Sequence, residues 1–231
     1  MEPTDQTPRS KLFGRRKGHT LRKRQSSLLE TQLARYSVDL SDSDTVEPAA
    51  LFDEPQDDFW LEIGFGAAEH LLHQAQAYPH VGFFGCEVYL NGMAKAVVQI
   101  HDQNRSNIRL HHGDAVDLIE RLPAASLGRI YLLYPDPWPK RRHWKRRFIS
   151  SAMLNELARV LKPGAILRVA TDIASYADWT LRHVTGHSDF QWLAETAADW
   201  RQPWPDWYST RYEQKALKAG RQPAYLTFQR R

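Results

Sequence analysis

Pro135 to Arg147 reads PDPWPKRRHWKRR, and these thirteen residues bring three chemistries together. Asp136 stands between two prolines, which restrict its backbone and pre-orient the carboxylate. Trp138 offers a ring face on which a base stacks. Six Lys/Arg fall within the eight residues Lys140 to Arg147, interleaved with His143 and Trp144. Cations at that density hold phosphates. The segment follows Ile130-Tyr131-Leu132-Leu133, an apolar run that reads as a buried strand. A carboxylate at a strand end, beside a basic and aromatic surface, points to chemistry on a nucleic acid. The structural alternative is a proline-rich turn leading into a basic helix start.

Other candidate residues stand at similar positions. Leu61 to Glu69 reads LEIGFGAAE. Gly64 and Gly66 let the backbone approach a ligand closely. A dinucleotide fingerprint would place a third glycine near residue 69, where Glu69 stands. No Gly-Lys-Ser/Thr follows, which disfavours a triphosphate. Glu62, two residues before the first glycine, suits a ligand end that is positive or donates hydrogen bonds, such as the α-amino and sulfonium groups of S-adenosylmethionine. Glu87 lies 23 residues after Gly64, where an acid accepts both ribose hydroxyl hydrogens of an adenosine. A helix-start acid favoured by the dipole is the local alternative. Asp114, in His112-Gly113-Asp114-Ala115, falls where the adenine edge would lie, and a helix N-cap is equally compatible with it.

Elements in the right order are needed to position these groups. Phe59–Ile63 reads as a strand, followed by a helix from Ala67 to Ala77 and a strand from Val81 to Glu87. Leu90, Met93, Ala94, Val97 and Val98 recur at helical spacing. Ile108–His111, a short helix at Val116–Arg121 and the Ile130–Leu133 strand come next. Met153 to Leu161 gives a helical stripe stopped by Pro163-Gly164. Ile166–Thr171 is a strand, Ser175–His183 a helix, and Phe190–Glu195 and Tyr225–Gln229 are closing strands. Leu28–Leu33 could start a short helix. Strands alternating with helices predict an α/β fold with a parallel sheet covered on both faces. Ligands bind such sheets beyond the carboxyl ends of the strands, where Glu62, Gly64, Gly66, Glu87, Asp114, Asp136 and Asp172 all fall.

The chain has 231 residues, 42% hydrophobic, with net charge +4 and a pI of about 9.2. That length supports one core domain with a tail. Arg9 to Arg24 carries eight Lys/Arg and no acid, whereas Tyr36 to Phe59 carries eight Asp/Glu and no Lys/Arg. Three regions are expected: a flexible basic arm (1–30), an acidic linker and surface loop (31–58), and a catalytic domain (59–231). The single cysteine, Cys86, rules out an internal disulfide and reads as a small core side chain. The ten histidines show no metal spacing, so no metal is expected. No apolar stretch reaches the roughly 20 residues that cross a bilayer, and there is no secretory h-region. A cytoplasmic protein without membrane contact is the expectation.

The chain resembles the bacterial tRNA (guanine-N7-)-methyltransferase family, whose members methylate the variable-loop guanosine at tRNA position 46. The resemblance runs from Leu12 to Arg230. Its carriers are Leu61–Leu71, Gly85–Lys95, Leu133–Phe148, Ala170–Trp179 and Thr210–Ala216. It implies a Rossmann-like class I methyltransferase fold: a seven-stranded, mostly parallel sheet with one antiparallel strand. It further implies that Glu62, Glu87, Asp114 and Asp136 contact S-adenosylmethionine, and that Asp136 is catalytic. Lys140, Asp172 and the segment Thr210, Arg211, Tyr212, Glu213 would contact tRNA. The arm Gly14–Arg24 is similar to the family's basic arm, which implies a further tRNA contact. Family members include monomers and homodimers. They usually carry glycines where this chain has Ala67 and Ala68. A positive φ at either would cost alanine roughly 1 kcal/mol.

Three rival activities make different demands on the residues. DNA amino-methylating enzymes tend to carry Asp/Asn-Pro-Pro-aromatic, not Pro-Asp-Pro-Trp. A small-molecule methyltransferase does not need the basic segments. A non-catalytic RNA-binding relative would be expected to lose the acids that Glu62, Glu87, Asp114 and Asp136 retain.

Overall fold

A computed structural model describes residues 16–41 and 44–231. Helix α1 spans Lys23–Tyr36, followed by β1 Asp58–Ile63, α2 Glu69–Ala77, β2 Val81–Cys86, α3 Leu90–Asp102, β3 Ile108–His111 and α4 Ala115–Ile119. Then come β4 Leu127–Leu133, α5 Ser151–Val160, β5 Leu161–Thr171, α6 Ala174–Thr185, β6 Phe190–Trp192, α7 Ala198–Arg201, α8 Arg211–Lys218 and β7 Ala224–Arg230. The strands form one seven-stranded sheet in the order β3-β2-β1-β4-β5-β7-β6. Strands β1 to β5 pair in parallel, and β7 runs antiparallel to β5 and β6. This is the Rossmann-like α/β sheet expected. Among the described residues no helix is long and apolar enough to cross a membrane.

Burial on both faces explains the near-continuous apolar strands. All six residues of β2 are buried. Leu61, Ile63, Phe84, Ile130 and Leu132 meet Leu118, Leu154, Leu157 and Val184 of α4, α5 and α6 on one face. Trp60, Phe83, Tyr131 and Leu133 meet Leu71, Met93, Val97 and Ile100 of α2 and α3 on the other. The register then aligns the strand ends. Ile63 pairs with both Cys86 and Leu132, Cys86 with His111, and Leu133 with Ala170. The residues that follow each strand therefore emerge along one edge.

Several boundaries differ from the sequence reading. The stretch expected to be flexible contains α1 from Lys23, and residues 1–15 of the arm lie outside the described residues. The stretch expected to be a linker packs on the sheet. Val38 N donates to Leu110 O at 2.9 Å and Val46 N to Arg121 O at 2.8 Å. Val38, Val46 and Phe52 are buried, so this segment covers the β3 edge that would otherwise stay open. Helix α2 starts at Glu69 instead of Ala67 because Ala68 is left-handed (φ 64). Helix α5 ends at Val160, before Pro163-Gly164. That pair lies instead in a bulge, since β4 advances from Leu127 to Arg129 while β5 advances from Leu161 to Ile166. Strand β6 stops at Trp192, because the Asp199 carboxylate draws Glu195 N and Thr196 N into a turn before α7.

Gly64 and Gly66 have φ of 70° and 62°, a conformation glycine adopts without strain. Helix α3 crosses this turn closely. A Cβ on Gly92 would stand 2.2 Å from the Gly66 carbonyl oxygen. Helix propensity favours alanine over glycine by about 0.8–1.0 kcal/mol, but two backbones cannot yield cheaply to such an overlap. Gly92→Ala is therefore expected to lower stability by about 1–3 kcal/mol. Urea unfolding checks this, and a stabilised variant contradicts the packing described.

Candidate active site

A cleft of about 570 Å³ opens at the carboxyl ends of β1, β2 and β4. Its walls include Gly64, Glu87, Asp114, Tyr134, Asp136 and Trp138, with apolar Ile63, Val88, Leu132 and Leu133 at its floor. Arg146, Arg211 and Lys215 stand on its rim. The volume suits a ligand of cofactor size. Three carboxylates in one cleft suit a ligand with cationic or hydroxyl-donating parts. The rim cations suit a polyanion.

Glu87 is 9% exposed and anchors the glycine turn. One oxygen accepts Gly66 N at 2.7 Å, and the other accepts Val88 N and Tyr89 N, both at 2.9 Å. Burial raises its pKa against the opposing pull of those backbone donors. A carboxylate offers about four lone-pair sites, so it retains capacity for a ligand hydroxyl. Asp114 serves as both N-cap and cleft residue: it caps α4 by accepting Val116 N at 3.2 Å, and it lines the cleft.

The loop carrying Asp136 is strained at both ends. Tyr134 has φ 50° and Trp138 has φ 43°. A left-handed aromatic residue costs about 1–2 kcal/mol, so the surroundings must hold the loop in place. Tyr134 N donates to Ala170 O at 2.7 Å. The Arg146 guanidinium lies 5.0 Å from the Trp138 ring centre, and His143 meets that ring edge-on at 5.9 Å. Asp136 itself is exposed to the cleft.

Some expected site residues do not face the cleft. Glu62 is 3% exposed and pairs with His70 Nδ1 at 2.7 Å. Strand alternation turns it away from Leu61 and Ile63 into the layer of Trp60 and Phe65, so it braces the first turn of α2 beneath the glycines. Gly66 is covered by α8: a Cβ there would meet the Tyr212 ring at 3.1 Å. Lys140 is exposed at the start of a 3-10 turn, Arg141–Arg146, and does not line the cleft. Asp172 follows β5 and accepts Arg221 Nε at 2.5 Å.

The Thr210–Glu213 segment divides by side. Arg211 and Tyr212 line the cleft. Thr210 is the N-cap of α8, accepting Glu213 N at 3.3 Å. Glu213 is buried, accepts Trp207 Nε1 at 2.9 and 3.0 Å, and accepts the Tyr225 hydroxyl. Thr210 and Glu213 thus brace the start of α8 from within the fold, and the Thr-x-x-Glu spacing signals the helix start. Lys215, Tyr134 and Tyr89 join the cleft without having been singled out, and Arg146 is the member of the basic run that lines it. Lys215 lies one helical turn after Arg211, and that spacing was the available signal. The described part of the arm also reaches this edge. Leu90 N donates to Arg16 O at 2.9 Å, and Gly18 N to Asn91 Oδ1 at 2.7 Å.

Residues 56–226, more than half the chain, match a family model described as a putative methyltransferase. The chain is 52% identical over 228 residues to the tRNA (guanine-N(7)-)-methyltransferase of Nitrobacter hamburgensis, covering 99% of this chain and 89% of that one. It is 48% identical to the Mesorhizobium japonicum protein of that name, over 100% of both chains.

The chain belongs to the tRNA (guanine-N7-)-methyltransferase family.

Solved structures add the fold alone. The 16S rRNA methyltransferase KamB superposes with a TM-score of 0.52 at 18% identity, covering 76% of this chain and 88% of that one. The [4+2]-cyclase SpnF gives 0.53 at 14%, covering 89% and 94%. A shared fold across such different activities leaves the family's specificity to the cleft and its rim.

The division within Thr210–Glu213 is testable by stability. Glu213→Ala removes the buried carboxylate to which Trp207 and the Tyr225 hydroxyl donate, and is expected to lower stability by about 1–3 kcal/mol. Tyr212→Ala, on the exposed side, is expected within about 0.5 kcal/mol of the parent. Thermal unfolding checks both, and equal losses contradict the division.

Proposed function

We propose that the chain transfers a methyl group from S-adenosylmethionine to N7 of the variable-loop guanosine, position 46, of tRNA. The observation that carries this reading is a single strand-end cleft with carboxylates on its walls and cations on its rim. Family membership supports the same reaction class, and the relatives' names specify tRNA and guanine N7.

When bound, S-adenosylmethionine supplies an electrophilic methyl carbon that takes the N7 lone pair as the carbon–sulfur bond breaks and sulfonium becomes thioether. Glu87 receives a ribose hydroxyl hydrogen on the acceptor site its backbone donors leave open, and Asp114 lies by the adenine edge. The backbone at Gly64 permits close approach, and Glu62 holds that turn from beneath through His70. Guanine N7 carries no proton, so no residue must act as base before attack. The chain's task is alignment. The Asp136 carboxylate, presented by its clamped loop, stabilises the positive charge that moves onto the purine. Asp136 or Asp172 accepts from guanine N1–H and N2–H2, which selects guanine over adenine. Lys140, Arg141, Arg142 and Lys145 on the exposed turn, with Arg146, Arg211 and Lys215 at the rim, hold RNA phosphates.

Incubation with labelled S-adenosylmethionine and unmodified tRNA, followed by borohydride and aniline cleavage, is expected to cut at one variable-loop guanosine. Label at another base or site contradicts the reading. Asp136→Asn keeps the shape and removes the charge, so turnover should fall roughly 100-fold or more, with thermal unfolding unchanged. Near-parental turnover in that variant removes Asp136 from the reaction.

Glu87 predicts a pH dependence. Its ribose contact needs the carboxylate, and burial raises its pKa. Cofactor affinity should therefore be full above that pKa and decline as pH falls through it, at higher pH than the roughly 4.3 of an ordinary glutamate. The fold itself responds with the opposite sign. A raised carboxyl pKa contributes stability that is present below the unfolded pKa and lost as pH rises through the folded one. Calorimetric titration with S-adenosylhomocysteine across pH checks the first statement, and a decline confined to the ordinary range contradicts it.

A further inference from the structure

We infer that Arg147, the last cation of the basic run, is a positioning residue for the Asp136 loop and not a phosphate ligand. Charge density alone groups it with its neighbours, but the fold separates it from them. Arg147 is 4% exposed, whereas Arg141, Arg142 and Lys145 are exposed. Its Nε donates to the Pro137 carbonyl at 2.9 Å, and its Nη1 donates to the Ser175 carbonyl at 3.2 Å. Its guanidinium lies 4.9 Å from the Trp144 ring, 5.0 Å from Trp179 and 5.5 Å from Tyr176. Trp179 is in turn fixed by donating Nε1 to the Ile149 carbonyl at 2.8 Å. One side chain thus joins the Asp136 loop, the basic turn and helix α6.

The loop has particular need of such an anchor. Pro135, Pro137 and Pro139 bring no N–H, so carbonyl oxygens are what their backbone offers for tethering. The Tyr134 end is tethered through its own N–H to Ala170. The Pro137 end is tethered by Arg147. Asp136 lies between these two anchors, and the left-handed residues Tyr134 and Trp138 give the segment a reason to relax if either is lost. A planar guanidinium reaches two carbonyls and presents its faces to rings at once, and an ammonium does not reproduce this.

The inference rests on the proposed methyl transfer, and the test separates the two. Turnover of tRNA and its affinity across salt concentrations are measured for the parent, Arg147→Ala, Arg147→Lys and Arg142→Ala. Arg147→Ala should lose roughly 10- to 100-fold in kcat, the scale of a reacting group displaced by about 1 Å. Its KM for tRNA should stay within about twofold, and its slope of log affinity against log salt should be unchanged. Arg147→Lys, keeping charge and one donor, should recover part of kcat. Arg142→Ala should flatten the slope by about 0.7–0.9, one phosphate contact.

A flattened slope with retained kcat in the Arg147 variants overturns the inference, as does parental behaviour in every measurement. If Arg147→Ala is not recovered folded, Arg147→Lys is read alone, and a parental kcat there overturns the inference. A parent without turnover overturns the proposed reaction and this inference with it. A parent that turns over beside unchanged Arg147 variants overturns this inference alone.

Discussion

The constraint on which the molecule depends is the parallel register of β3, β2, β1 and β4. Ile63 is level with Cys86 and Leu132, and Cys86 is level with His111. Each strand then releases its chain at the same edge, and the next helix carries it back. Glu87, Asp114 and Asp136 are far apart in sequence, yet they share one cleft for this reason. A slip of one residue in any pair would turn that strand's apolar residues toward the wrong face and shift its end along the edge. Burial of both faces makes such a slip costly and so fixes the site's geometry.

The cleft separates two electrostatic tasks. Glu87 and Asp114 belong to strand ends and are held by backbone N–H groups and a helix cap. The cations come from the turn after β4 and from α8. Between them lies the Tyr134–Trp138 loop, whose strain the rest of the fold sustains. Its carboxylate has no proton to abstract in N7 chemistry, so its value lies in where it is held. That is why residues with no ligand contact, such as Arg147, matter to an alignment-driven reaction.

The strand ends were legible in the chain because apolar runs of strand length terminate in polar or glycine residues. The residues less well read share a different character: each is polar and locally unremarkable, and a distant element decides its side. Glu62 precedes a glycine turn, and its pairing with His70 follows from Leu61 and Ile63 claiming the other face, which its spacing from the glycines does not show. Thr210 and Glu213 carry a helix-capping spacing inside a segment otherwise read as contact surface. Arg147 cannot be told from Arg142 by spacing, since its distinction comes from Ser175, Tyr176 and Trp179 on α6. The 31–58 stretch looks like a linker by its charge, yet Val38, Val46 and Phe52 are enough to seat it on the sheet edge.

Whether one strand-end cleft holds cofactor and guanine together is seen in a crystal structure of the protein soaked with S-adenosylhomocysteine. The ribose is expected at Glu87, the adenine beside Asp114 and the sulfur directed toward the Asp136 loop. A ligand bound in the smaller hollow by Arg16, His112 and Gly113, or one with its sulfur turned away from Asp136, would contradict this arrangement.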